Sequence, residues 1–449
     1  MKMTTKRNVK INVEYLTRVE GHGNIVVDVA DGSLEECHLE IVEAPRFFEG
    51  MIRGRSIFEA QHITCRICGI CSCGHTLASI QAAEDAIGFT PSEQTTKLRR
   101  FLLHMENLDS HILHIYLLVA PDLLGVPSFV PLIGSHNKVV RRALRMKKTC
   151  NDVCDILVGR HVHPISSIVG GFTQLPREQQ MESMLELLRN MRPDMEATIE
   201  TCAALVENIP DFERDTEYVG LVSNDEIYPM LHGDVGSSDG IRMDKYSYKK
   251  ITNEFVVPHS SAKFTRLSRE SYAVGALARF NLNYDKLHPK AKEVAEALNF
   301  KPKCTNPYFN TVAQLIECIH SLEEGIELLE EFQESGFDYS EEITVGLNER
   351  NDIPVKAGKG VGAVEVPRGI LFHHYEVDDN GIITNANCII PTNQNVNNIE
   401  QDMKKLVPEM LDADKKDEEM TLGLEMLVRA YDPCISCSAH FLNVKFKRR

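Results

Sequence analysis

Apolar and polar residues alternate between Val9 and Val42, as in Val26-Val27-Asp28-Val29 and His38-Leu39-Glu40-Ile41. Successive side chains of a strand point to opposite faces, so a period of two predicts strands with one buried face. Asp31-Gly32 interrupts the alternation with residues that tolerate positive φ, which predicts antiparallel strands joined by a tight turn. From about Ser56 the period changes. Leu102, Met105, Leu108, Ile112 and Tyr116 recur every three or four residues and define one apolar helix face, and Val312 to Phe332 defines another. Pro176, Pro193 and Pro210 punctuate a helical stretch. Gly358 to Thr392 returns to strand-like runs with glycine-containing loops. Asp402 to Glu419 is dense in charge and is expected to be a solvated helix or loop. The expected class is α+β, mainly α, with a large helical core and small β regions near the N-terminus and in the C-terminal third.

A chain of 449 residues can bury a large core. Its net charge of -16 argues against nucleic acid or an anionic membrane as a main partner. No run approaches the length of a transmembrane helix, and Met1 to Glu14 lacks the apolar stretch of a secretory signal. The expectation is a cytoplasmic protein that engages no membrane. The 13 cysteines are odd in number, and in a large unexported chain they point to metal or redox use rather than to disulfides. Cys202 and Cys318 sit in apolar helical patterns and are expected to be small core residues.

Cysteines cluster at both ends of the chain. The first cluster reads Cys65-Arg66-Ile67-Cys68-Gly69-Ile70-Cys71-Ser72-Cys73-Gly74-His75, and the second reads Asp432-Pro433-Cys434-Ile435-Ser436-Cys437-Ser438-Ala439-His440. Each holds a C-x-x-C followed by a histidine. Two such pairs supply four thiolates, which suit a soft transition metal. On spacing alone, a four-sulfur zinc site and an iron-sulfur cluster both remain open. The pairs lie too far apart for a zinc finger, so something is assembled between the first and last parts of the fold. His111-x-x-His114 places two imidazoles on one helix face, and the expected role is packing rather than metal binding.

Arg66-x-Cys68-Gly69-x-Cys71-x-x-x-His75 and Asp432-Pro433-Cys434-x-x-Cys437-x-x-His440 resemble the paired motifs of nickel-iron hydrogenase large subunits. Further similarities follow in order: Arg18-Val19-Glu20-Gly21-His22, Arg46 to Glu49 before Arg53-Gly54-Arg55, His111 to Asp122, His163-Pro164 with Gly170-Gly171, Val366-Pro367-Arg368-Gly369 and Pro391-Thr392. The resemblance implies a single large-subunit domain over residues 1–440. It implies Cys68 and Cys434 as terminal nickel ligands, and Cys71 and Cys437 as bridges from nickel to an iron that carries carbon monoxide and cyanide. Glu20 would exchange a proton with Cys434. Arg368 would hang over the open metal position, fixed by Asp122 and Asp432. His75 would hydrogen-bond near a bridging cysteine, and Thr392 with the Ile390 N–H would donate to a cyanide. Glu49, His440 and the Cys388 carbonyl would hold a separate hard cation, magnesium or ferrous iron. Cys65 and Cys73 fall outside the family's ligand pattern and are read as local structure. Residues 441–449 would be a tail removed after His440 during maturation.

No ferredoxin-like string of cysteines lies on the chain, so the resemblance implies a partner, an iron-sulfur small subunit, docked near the Cys68 and His163 motifs. The stretch from Gly381 to Asn395, with Asn398-Ile399-Glu400, resembles the cytoplasmic, cofactor-coupled hydrogenases. Within them the type that feeds heterodisulfide reductase and ferredoxin, found in methanogenesis, is expected first, and NAD(P)- or deazaflavin-coupled enzymes stand as alternatives. From other classes, a complex I-like subunit lacking nickel and a zinc-stabilised scaffold are the alternatives. All four motif cysteines being present argues against the complex I-like reading.

Overall fold

The computed structural model describes residues 7–343 and 353–439. The N-terminal alternation becomes an antiparallel sheet of Val9–Val13 (β1), Gly23–Ala30 (β2) and Ser33–Ile41 (β3), in that order. Ala30 pairs with Ser33, and Asp31 and Gly32 between them both take positive φ (52° and 80°). That conformation matches the twist of the flanking strands, which is why Asp-Gly closes this hairpin. Ile25, Val27 and Val29 point into the core while their neighbours remain half-exposed.

The helical body contains Ser72–Ile87 (α1), Glu93–Leu113 (α2), Asn137–Val158 (α3) and Glu178–Ala203 (α4). Ser92 caps α2 by accepting the Thr95 N–H, and the buried face of α2 includes Leu102, Met105, Leu108 and Ile112 as the spacing predicts. Pro193 does not end a helix: α4 runs through it, its buried face including Leu185, Leu188, Met191 and Met195. Packing of that face outweighs one missing backbone hydrogen bond.

A four-stranded sheet in mid-chain was not apparent from the periodicity. Glu217–Val222 (β4), Asp234–Ser237 (β5), Arg242–Met243 (β6) and Tyr272–Ala273 (β7) assemble in the order β6-β5-β4-β7. Its strands are short, and β4 is buried at five of six positions, so no alternation marks it. Ala276–Asn283 (α5) and Asn310–Ser335 (α6) follow, with α6 packed against α2 and α4.

The third sheet sits beside the metal-ligand candidates. Gly358–Val366 (β8), Gly369–Val377 (β9) and Ile383–Ile389 (β10) are antiparallel, with β9 central. Helix α1 lies directly on β8. A Cβ on Gly358, Gly360 or Gly362 would fall 2.1–2.2 Å from backbone atoms of Ala86, Ala82 or Ala78, so only glycine permits this approach. The strand's outer N–H groups are satisfied in turn: Val361 donates to Asp85 (2.8 Å), Ala363 to Gln81 (2.6 Å) and Glu365 to the Met230 carbonyl (2.7 Å).

Pro391–Asp412 (α7) and Asp417–Ala430 (α8) complete the body. The charged stretch from Asp402 is therefore helical, but it is not wholly solvated. Asp402 is 1% exposed, bound by Arg214 and by the Tyr431 hydroxyl (2.5 Å). No helix among the described residues is long and apolar enough to cross a membrane.

Candidate metal centre

Both C-x-x-C pairs converge at one buried point. Cys65–Ile67 forms a short 3-10 turn, Cys68 is extended, and Cys71 immediately precedes α1. The N–H groups of Ile70 and Cys71 donate to Cys68 Sγ at 3.3 and 3.2 Å, which turns that sulfur inward. From the other end of the chain, Cys434 leads into the single turn Ile435–Ser438 that carries Cys437. The Sγ atoms of Cys68, Cys71, Cys434 and Cys437 are buried and lie within 4.8 Å of one another. Cys434 and Cys437, with Cα atoms 5.5 Å apart, present their sulfurs side by side, and a metal held by all four cysteines takes them as thiolates. Four convergent sulfurs fit a soft or borderline transition metal. A hydrogen bond from Cys71 and the charge of Arg368 hold the Cys68 thiol below its ordinary pKa, while Cys71, sharing that hydrogen bond, is pushed up.

Arg368 stands in the turn between β8 and β9, 3% exposed. Its Nε donates to the Asp432 carbonyl (2.6 Å) and its Nη2 to Asp432 Oδ1 (2.7 Å). Burial works against its charge, but Asp432 and the Cys71 and Cys68 thiols outweigh that and raise its pKa. Glu20 meets the C-terminal motif through backbone and side chain together. Its N–H donates to the Pro433 carbonyl (3.4 Å), its carbonyl accepts from Ile435 (2.8 Å), and its Oε2 lies 3.1 Å from Cys434 Sγ. The Ser436 N–H (3.2 Å) and hydroxyl also bind this carboxylate. Thr392 Oγ1, in the first turn of α7, accepts the Cys434 N–H at 3.0 Å.

The model of the nickel-dependent hydrogenase family matches residues 46–131 and 240–440, which covers more than half the chain. The chain belongs to the nickel-dependent hydrogenase family. A HoxL-like model matches residues 10–44. The alpha chain of sulfhydrogenase 1 from Pyrococcus furiosus is 35% identical over 97% of this chain and 98% of its own length. A component of the F420-non-reducing hydrogenase of Methanothermobacter marburgensis is 32% identical over 98% of this chain and 96% of its own. Among solved structures, an NAD+-reducing [NiFe]-hydrogenase in its H2-reduced state superposes with a TM-score of 0.83 at 28% identity, covering 96% of this chain and 99% of that one. This hydrogenase subunit is catalytic, an oxidoreductase acting on H2, and its cysteine cluster fits a nickel-iron centre.

Other expected site residues of the hydrogenase fall near the cluster with altered partners. Asp122 does not hold Arg368. It binds Arg429 (2.7 and 3.0 Å) and Arg18 (2.5 Å), and Asp432 alone of the two expected aspartates clamps Arg368. The Ile390 N–H donates to Asn393 Oδ1 (2.8 Å), an α7 capping contact. His75 Nδ1 pairs with His373 Nε2 (3.2 Å), continuing through Tyr375 and Ser79. Glu49 accepts the Cys388 N–H (2.8 Å), which places two of the expected hard-cation ligands side by side; His440 lies outside the described residues. His111 pairs with Glu317 (2.8 Å), and His114 with Gln314 (2.5 Å) and the Arg429 carbonyl (2.7 Å), in keeping with packing.

Two supporting residues had no assigned role from the sequence. Arg46 donates to the Ile67 (2.7 Å) and Arg66 (3.0 Å) carbonyls while its N–H binds the Ala439 carbonyl (3.1 Å), tying the two motifs together. Arg279, fully buried, grips Glu317 (2.6 and 2.7 Å) and Glu365 (2.9 Å) and donates to the Val366 (2.9 Å) and Pro367 (3.2 Å) carbonyls. It thereby shapes the turn that presents Arg368. An arginine in an ordinary apolar-spaced helix carries no local mark of such a role.

Proposed function

We propose that this subunit interconverts H2 with two protons and two electrons at a nickel-iron centre, with Glu20 as the proton acceptor. Such a centre would supply the Lewis-acid and redox chemistry that H2 cleavage needs. Cys68, Cys71, Cys434 and Cys437 would hold it. The observation that carries the reading is Glu20 Oε2 at 3.1 Å from Cys434 Sγ. At that distance a proton on sulfur passes to the carboxylate directly, and Ser436 holds the carboxylate aimed at it. Arg368 supplies a fixed positive charge over the thiols at no reorganisation cost, because Asp432 already holds it in place. Its remaining donors, with the Thr392 hydroxyl, would suit the cyanide of an iron that carries cyanide and carbon monoxide. Glu49 and the Cys388 carbonyl, with His440, would hold magnesium or ferrous iron.

Electrons leave through an iron-sulfur small subunit. The docking face lies near Cys65, whose carbonyl accepts from His163 Nδ1 (3.1 Å), and exposed Ile165 adds apolar surface there. Onward transfer to a heterodisulfide reductase and ferredoxin in the cytoplasm is the first reading, and relatives named F420-non-reducing hydrogenase weigh against the deazaflavin-coupled alternative. Similarity to an NAD+-reducing enzyme at a TM-score of 0.83 favours NAD(P) as the second reading. The test is metal analysis of the purified complex together with infrared spectroscopy of cyanide and carbonyl bands, in wild type and in Cys68→Ala and Cys437→Ala. Nickel, iron and the bands are expected in wild type, and H2 activity is lost in both variants. Full activity in either variant refutes the assignment.

A further inference from the structure

Away from the thiol cluster, two imidazoles and a carboxylate converge from three separate parts of the fold. His38 projects from the half-exposed side of β3, His259 from the loop before Phe264, and Glu400 from the inner face of α7. Their ligand atoms all lie within 4.8 Å of one another. Glu400 is 3% exposed, and its Oε2 lies 2.9 Å from His259 Nε2 and 3.6 Å from His38 Nδ1. That His38 nitrogen is buried and makes no hydrogen bond. The two rings stack with centroids 4.0 Å apart, tilted by 25°. We propose that His38, His259 and Glu400 form a divalent transition-metal site of the zinc class, separate from the nickel-iron centre.

The geometry carries the argument. Zinc binds nitrogen and oxygen at roughly 2.0–2.2 Å, so two tetrahedral ligand atoms stand about 3.4 Å apart. The separations of 2.9 and 3.6 Å from Glu400 bracket that value. A small rotation of the stacked rings brings the third pair of atoms into the same range. Two imidazoles with one carboxylate select zinc, cobalt or nickel over magnesium and calcium, which prefer oxygen. A metal would also resolve an unsatisfied arrangement: one carboxylate oxygen faces two imidazole nitrogens and is hydrogen-bonded to only one of them.

The surroundings hold the ligands in place. Lys404 Nζ binds the other oxygen of Glu400 (2.8 Å), an outer contact that fixes the carboxylate's orientation. Ser261 ties the His259 loop to β3 through its N–H (2.9 Å) and hydroxyl (3.0 Å), both to the Ile41 carbonyl. Glu36 lies 3.4 Å from His38 Nε2, adding negative charge that favours a cation. His38 and His259 are partly exposed, so water can occupy the fourth position and a metal can enter. Glu400 stands eight residues from Thr392 along α7, about 12 Å at the helical rise, so the site does not touch the thiols. Its role is to brace the N-terminal sheet against the helix whose first turn holds Cys434.

The test uses the intact purified complex, titrated with zinc chloride by calorimetry and then examined by anomalous diffraction at the zinc edge. Wild type is expected to bind one more zinc per protomer than His38→Gln, His259→Gln or Glu400→Gln, with anomalous density between these three side chains. Affinity at that site should fall at least 100-fold in each variant, and zinc should raise the melting temperature of wild type only. Glu400 accepts the Leu39 N–H, so its variant could fail to fold; His259→Gln, on a partly exposed loop, then decides. Equal zinc stoichiometry and affinity in wild type and His259→Gln overturns the proposal. So does anomalous density elsewhere, or a cluster that only exchanges protons and takes up no zinc.

Discussion

Gly362→Ala tests whether the close seat of α1 on β8 positions the metal ligands. The added Cβ would lie 2.1 Å from the Ala78 carbonyl oxygen and 3.0 Å from the Ala82 nitrogen. Both are helix backbone atoms, which cannot rotate away as a side chain does. Restoring ordinary contact near 3.4 Å needs the helix to retreat by roughly 1.3 Å. That movement stretches the Ala363–Gln81 and Val361–Asp85 hydrogen bonds, now 2.6 and 2.8 Å. Overpacking costs about 1–3 kcal/mol and each of the two weakened bonds about 1 kcal/mol, so the total is on the order of 3–5 kcal/mol. Activity should suffer more than stability. Cys71 leads into α1 while Arg368 follows β8, so the retreat moves ligand against guanidinium, and a misplacement of ~1 Å can cost ~100-fold in rate. Thermal unfolding and H2 uptake are measured on the same preparation, beside Gly134→Ala, where a Cβ meets nothing within 4 Å. A thermal midpoint and H2 uptake for Gly362→Ala indistinguishable from those of Gly134→Ala would refute the reasoning.

Glu20→Gln keeps the shape of the side chain but cannot accept a proton. Proton-dependent turnover should fall by roughly 100-fold or more while ortho/para-hydrogen conversion survives better; equal loss of both would assign Glu20 to structure instead. Arg279→Met leaves Glu317 and Glu365 buried without their cation, so denaturant unfolding should report a loss of about 3–5 kcal/mol, and an unchanged midpoint would contradict the network. The tail from Phe441 to Arg449 carries four cationic residues, which are costly to bury unpaired beside a closing metal site. Intact-mass measurement of the active, nickel-loaded protein should give a chain ending at His440; retention of Arg449 would rule out cleavage here.

What the sequence disclosed, and what it hid, follows from how far apart partners stand along the chain. The hairpin at Asp31-Gly32 and the two C-x-x-C pairs are local: turn geometry and metal chelation both demand particular residues at short spacing. Asp402 is the opposite case. It sits in a run of charges, so its composition reads as solvent-facing, yet Arg214 and Tyr431 bury it. Nothing within its own helix predicts that. Asp122 misled in the same way, since its motif is local but its choice among Arg18, Arg429 and Arg368 depends on how three distant segments pack. The glycines of β8 were legible only as strand punctuation. Their function appears once α1 is laid across them, because an absent side chain has meaning only against the backbone that fills its place. Glu20 and Cys434, 414 residues apart, show why the catalytic reading needed the family motifs as well. A carboxylate after a strand is ordinary, and it meets a cysteine thiol only because the fold brings Cys434 back against Glu20 through a parallel bridge.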